Sequence, residues 1–169
     1  VTPNTSDYGG ICQMWEDGSA IAFCPKSTYD YPLDTRGVIQ HEAGGHGFGK
    51  LADEKIAING FIPNDEIANI NSKHALGWYQ NISSTGKMHK VPWAHLIFDE
   101  RYSNDVDIFE GGCMYSRGVF RSEQNSCMNN YIPYFNTISR EAIVKRIMEY
   151  AGESYSFEEF VKNDKVEFP

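Results

Sequence analysis

A mixed α+β domain is the architecture this amino-acid sequence predicts, on the strength of three stretches. Two short β-prone runs flank Asp17-Gly18 in "CQMWEDGSAIAFC", and a helical stretch carries "HEAGGHGFGKLADE" from His41 to Glu54. From Ser139 onward, apolar residues return at helical spacing as Ile143, Ile147 and Tyr150. At 169 residues the chain has the length of one domain with its own core. No internal repeat, low-complexity tract or linker divides it, so residues 1–169 are expected to form a single domain.

The hairpin comes first, because Asp-Gly is a dipeptide favoured in tight turns between strands. The turn-rich "PKSTYDYPLDT" then leads to Asp34 or Thr35, either of which can cap a helix that begins near Arg36 and runs through the histidines. A second helix is expected between Asp65 and Tyr79, and "KVPWAHLIF" reads as extended. The segment "NDVDIFEGGCMYSRGVFRSEQNSCMNNYIPYFNT" is rich in Gly, Asn and aromatics without a helical period, which predicts a long structured loop region. The next helix ends where Gly152 can cap it, and Ser156 with Glu159 forms an S-x-x-E capping box for one more short helix.

Composition excludes several classes. The chain is 41% hydrophobic but has no run of about 18 apolar residues, so no membrane-spanning segment is expected. A formal net charge of −8 predicts an acidic surface that repels nucleic acid. The opening "VTPNTSDYGG" has neither a basic n-region nor an apolar h-region, so a signal peptide has been removed or is not included. Cys12, Cys24, Cys113 and Cys127 form two locally spaced pairs outside any C-x-x-C motif. Two readings stay open for them: disulfides in an oxidising compartment, or four buried thiols.

The signature raises a geometric question. It matches the zinc-peptidase pattern H-E-x-x-H except for one additional residue between His41 and His46. On an α-helix, residues four apart are separated by about 40° and share a face, whereas residues five apart are separated by about 140°. A π-type widening absorbs one extra residue, and a turn of about 4.4 residues brings five-apart side chains back to about 50°. Gly44-Gly45 lies where the widening must go, and two interior glycines cost roughly 2 kcal/mol relative to alanine, which argues for a geometric purpose. His41 and His46 are then expected to ligate Zn2+, with Glu42 as general base on a zinc-activated water. In the pattern H-E-x-x-H-x-x-G-x-x-H a glycine turns the chain so that a third ligand returns to the metal. Gly49 takes that place, and Asp53 is the expected third ligand, with Glu54 in reserve. His74, His89 and His95 stand apart from other ligand types and read as packing or surface residues.

These residues resemble the IgA peptidases, a branch of metzincin-like zinc metallopeptidases. "GHGFGKLADE" is similar to the G-H-x-F-x-x-L-A-D-E core of that family, in which the aspartate stands seven after the second histidine, as Asp53 does. "IFEGG", "GVFRSEQNSCMNN" and "PYFNTISREAIVKRI" resemble its downstream block in the same order. The resemblance covers about Asp7 to about Met148. It implies a metzincin-like catalytic domain with an active-site helix, a Met-turn at Met128 forming an apolar floor beneath the ligands, and a C-terminal helix. Only about 35 residues precede the signature helix. The chain therefore looks like the C-terminal part of a longer one, lacking part of its N-terminal sheet. The resemblance also implies extracytoplasmic action, with Cys113 and Cys127 as the pair expected to bridge.

The function expected on this basis is hydrolysis of peptide bonds in extracellular proteins by a monomeric zinc endopeptidase, with a protein or peptide substrate as partner. Tyr115, Arg121 and Tyr131 are candidates to bind substrate backbone or a developing oxyanion, or else to pack within their loop. The five-residue histidine spacing followed by "GK" also resembles dipeptidyl-peptidase III, a zinc exopeptidase. Its third ligand is a glutamate on a distant helix, and no second helix here offers the matching E-E pair. An inactive zinc-containing binding module is the remaining alternative, but a structural zinc site needs a fourth ligand and has no use for Glu42.

Overall fold

Asp17-Gly18 closes a hairpin between β1 (Ile11–Met14) and β2 (Ala20–Phe23), antiparallel with Ile11 opposite Phe23 and Met14 opposite Ala20. The loop is wider than a two-residue turn: Trp15 N–H donates to Ser19 O at 3.0 Å, and Gly18 sits at φ 88. The structure, a computed structural model, describes residues 1–165, and its architecture is mixed α+β with two separate sheets.

Helix α1 (Thr35–Ile39) starts where the Asp34 carboxylate accepts the backbone N–H groups of Arg36 and Gly37, the N-cap arrangement that satisfies otherwise unpaired donors. It continues without a break into a π-helical segment, Gln40–Phe48, nine residues long. The widening expected at Gly44-Gly45 is present, and it extends over the whole signature. Gly49 N–H donates to Gly44 O at 2.8 Å, a five-residue closure. The hairpin of β1 and β2 packs against this segment. Gly45 is there for close approach, because a Cβ would strike Met128 Sδ, whereas a Cβ on Gly44 would meet only the Phe135 ring at 3.6 Å.

The second sheet is organised by β6 (Met114–Arg121), which pairs in parallel with β3 (Ile56–Phe61) and antiparallel with β4 (Ile82–Ser83) and β5 (Phe109–Gly112). This corrects the expectation of an extended loop region. Residues 109–121 form a hairpin whose tight reversal uses positive φ at Gly111, Gly112, Cys113 and Met114. The stretch "KVPWAHLIF" is corrected as well: it is a turn followed by the short helix α3 (Ala94–Ile97). Trp93 and Leu96 are both fully buried in one cluster. Residues three apart point to opposite faces of a strand but to the same face of a helical turn, so burial decides against the β propensity.

Helix α2 (Asn64–Ala75) stops short of Tyr79 because Gly77, at φ 74, turns the chain. The short α4 (Cys127–Asn130) is capped by Ser126 and ends at Tyr131 in the left-handed region, φ 59. Helix α5 (Thr137–Ala151) begins two residues before Ser139, since Asn136 accepts from Ser139 N–H, and it ends at Gly152. Ser156 caps α6 (Phe157–Asn163) by accepting from Glu159 N–H. One core unites Val91, Trp93, Leu96, Tyr102, Val106, Ile138 and Phe160 around α5 and α6. A second lies under the larger sheet around Ile70, Ile82 and Val119, and a third joins Leu51, Met128 and Ala142. No helix among the described residues is long and apolar enough to cross a membrane.

All four cysteines are free thiols, which corrects the expected Cys113–Cys127 bridge. Cys113 is packed against the second core, while Cys127 is fully buried at the start of α4, and burial pushes both thiols up to about 12.

Two outcomes follow from this packing. Gly45→Ala should lower stability by about 1–3 kcal/mol through overpacking against Met128. Gly44→Ala should be neutral or stabilise by up to about 1 kcal/mol, and urea denaturation of the two variants compares them directly. Glu141, 1% exposed on α5, accepts from Tyr155 Oη at 2.7 Å and Lys145 Nζ at 2.9 Å, and pairs with His95 Nε2 at 2.9 Å. Burial alone would raise its pKa, but these three partners hold it at about 2, below the ordinary 4.5. A depressed acid contributes stability above its unfolded pKa and loses it as pH falls through the folded one. Glu141→Gln should therefore cost roughly 1–3 kcal/mol near neutral pH, discounted for the half-exposed partners. The difference from wild type should shrink between about pH 4.5 and about pH 2.

Candidate metal centre

The π-helical turn places His41 and His46 on one face. Their Nε2 atoms lie 3.1 Å apart and their rings meet edge to face at 88°. Each ring is oriented from behind by a backbone carbonyl. His41 Nδ1 lies 2.9 Å from Cys127 O, and His46 Nδ1 lies 2.7 Å from Leu51 O. A carbonyl can only accept, so both Nδ1 atoms carry the hydrogen and both Nε2 atoms present lone pairs.

Asp53 completes the group. Its Oδ1 is 3.2 Å from His41 Nε2 and 3.7 Å from His46 Nε2, buried and without a hydrogen-bond partner. With both rings neutral three electron-pair donors converge, an arrangement that is relieved by a cation, whether a metal ion or a proton on one of the rings. Three ligands at zinc's bond lengths in tetrahedral geometry lie about 3.4 Å from one another, and 3.1, 3.2 and 3.7 Å bracket that spacing. Among the described residues these three form the only group of ligand types close enough to hold a metal ion. The group could hold a metal ion, and its spacing does not exclude zinc.

The electrostatics agree with the geometry. Burial holds the His46 ring below its ordinary pKa, favouring the neutral form that ligates. Burial would raise Asp53, but His41, His46 and Lys55 together hold its carboxyl below the usual value, so it remains an anion. Lys55 Nζ is 3.4 Å from Asp53 Oδ1. Glu42, 3% exposed, has its Oε1 3.9 Å from His41 Nε2, and burial raises its pKa, with His41 opposing and Asp53 adding to the effect. The backbone of Gly10 packs on this carboxylate so closely that a Cβ there would lie 2.5 Å from Oε1.

Behind Asp53 stands its neighbour Glu54, whose side chain points away from the metal group. It is fully buried and accepts from Ser126 Oγ at 2.6 Å, Asn81 Nδ2 at 2.8 Å and Asn136 Nδ2 at 2.8 Å, while its N–H donates to Met128 O at 2.8 Å. Burial among neutral donors pushes its pKa up to about 7. Glu54 is therefore a structural hub joining the ligand loop to β4, α4 and α5, and the reserve ligand of the sequence reading is placed elsewhere. Asn81, Ser126 and Asn136 escaped that reading. Only Ser126 and Asn136 carry a local signal, as caps of α4 and α5.

Of the remaining candidates, Met128 is fully buried with its sulfur against Gly45. Tyr131 stacks on the His41 ring at 4.4 Å. Burial, then the charges of Glu42 and Asp53, pushes its phenol up to about 12, so it stays protonated. Tyr115 packs on the second core, and Arg121 Nη1 donates to Glu110 O and Gly111 O, closing the β5–β6 hairpin. His74 Nε2 contacts the carbonyls of Tyr79 and Ile82, His89 stacks on Phe98, and His95 pairs with Glu141.

No protein-family model matches the chain, and no curated protein matches it.

Because Glu54 holds the ligand loop against the Met128 turn, Glu54→Gln should weaken zinc binding by about 10- to 100-fold, the usual effect of losing outer support for ligands. Competition with a chromophoric chelator measures it, and an unchanged affinity would contradict the hub role.

Proposed function

We propose that this chain is a zinc-dependent endopeptidase with a metzincin-like catalytic domain, akin to the IgA peptidases. The observation that carries the reading is the convergence of His41 Nε2, His46 Nε2 and Asp53 Oδ1 with spacings suited to zinc, beside a buried carboxylate of raised pKa. Zinc bound there would polarise a scissile carbonyl and acidify a water molecule.

The chain's own residues supply the rest. Glu42 lies next to the first ligand, and its raised pKa suits a group that accepts a proton from water and returns it to a leaving amine. Its burial keeps bulk water from competing for that proton. Tyr131, protonated and stacked on His41, can donate to an oxyanion developing at the carbonyl. Lys55 offsets the negative charge gathered at Asp53 and Glu42. A protein or peptide substrate in an extracytoplasmic compartment is proposed from the family resemblance, and the free thiols add nothing to that assignment.

Glu42→Gln tests the reading, since it removes the base and leaves the ligands. The zinc content should stay at wild-type level while peptide hydrolysis falls by about 10²- to 10⁴-fold. Near-normal turnover by this variant would rule out the mechanism.

A further inference from the structure

Where the turn of the β1–β2 hairpin meets α5 and the segment following α2 lies a cavity of about 340 Å³, and each of the three walls contributes one residue that matters here: Asp17, Arg146 and Trp78. All three act on the ammonium of Lys50, a residue only 1% exposed. The Trp78 ring is 5.1 Å from Lys50 Nζ, and the charges of Arg146 and Asp17 are both felt there. The ammonium therefore stands where the walls join, at the floor of the cavity. Lys50 Nζ has no hydrogen-bond partner among the described residues, and neither has Arg146 Nε, although Arg146 Nη2 donates to Tyr150 Oη at 3.1 Å.

An enclosed ammonium is costly without an acceptor. Burial, then the charge of Arg146, lowers the pKa of Lys50, with Cys12 and Asp17 opposing. The backbone adds to the cost, because Lys50 sits at φ 53, in the left-handed region that glycine enters most easily. A glycine would make the same turn, so the turn itself does not call for a lysine. The opposite charge is found farther out, where Glu16, Asp17 and Glu149 are exposed on the same lining. Ser19 steadies the Asp17 carboxylate through its N–H at 2.9 Å and its Oγ at 2.6 Å. A simple anion would be drawn by Lys50 and Arg146 but repelled by three carboxylates, and a simple cation would meet the reverse. A small molecule carrying both charges satisfies both sets.

We propose that this cavity binds a free α-amino acid, with its carboxylate against Lys50 Nζ and Arg146 Nε and its ammonium toward Glu16, Asp17 and Glu149. Leu76 and Tyr150 offer its side chain apolar surface, and the volume lies at the small end of ligand cavities. None of His41, Glu42, His46 and Asp53 lines this space, so the proposal stands apart from the peptidase reading.

Titration of L-leucine into the isotope-labelled protein, read at the Trp78 indole N–H resonance, tests it. A saturable shift is expected. L-Leucinamide, which lacks the carboxylate, and isocaproate, which lacks the ammonium, should each bind at least about 10-fold more weakly, the loss expected for a hydrogen bond to a charged group. Lys50→Met keeps the length of the side chain and removes an unpaired buried ammonium, so it should fold and bind leucine at least about 10-fold more weakly. Arg146→Met, at a partly exposed position, should weaken binding likewise and decides the matter if Lys50→Met does not fold. No shift with leucine, or binding to either folded variant as tight as to wild type, would overturn the proposal. Sulfate, isocaproate or L-leucinamide binding as tightly as leucine would also overturn it, since the site would then read only one of the two charges.

Discussion

The widened helical turn between His41 and His46 is the constraint on which the surrounding structure depends. The two histidines stand five positions apart, and only a π-type turn returns their rings to a common face with Nε2 atoms 3.1 Å apart. A wide turn leaves less backbone contact along the helix axis, so neighbours must fill the space. Met128 does so from one side, with its sulfur against Gly45, and the β1–β2 hairpin covers another. The carbonyls that orient the two rings come from Cys127 and Leu51, both adjacent to that packing. Ring geometry and core packing are therefore one arrangement.

Glu54 extends the arrangement outward. A fully buried carboxylate is expensive unless its lone pairs are met, and here three side-chain donors from three separate segments meet them. Because Asp53 and Glu54 are consecutive, fixing one side chain inward leaves the other facing the histidines. The polar network thus sets the direction of the Asp53 side chain at a distance from it, which is a more rigid device than a loop held by exposed contacts.

Much of the site could be read from residue types and spacing. The five-position spacing of the histidines implied the widened turn that Gln40–Phe48 forms, and Asp53, expected downstream of Gly49, does lie within reach of both rings. Helix ends were readable where a cap chemistry exists, as at Asp34, Gly152 and Ser156. Strands β3, β5 and β6 were not, because their pairing is non-local and their reversal depends on positive φ at Cys113 and Met114, residues that carry no such signal. The short helix at Ala94–Ile97 was hidden for a related reason: burial of Trp93 and Leu96 on one face is a tertiary fact. Asn81 as a partner of Glu54 had no local signature at all.

The central claim is that His41, His46 and Asp53 hold a zinc ion. Diffraction from crystals grown with zinc, recorded on both sides of the zinc absorption edge, tests it most directly. The account predicts one strong anomalous peak per chain between His41 Nε2, His46 Nε2 and an Asp53 carboxylate oxygen, at about 2.0–2.2 Å from each. A peak at His74 or His95 instead, or a regular α-helical turn with His46 facing away from the metal, would contradict it.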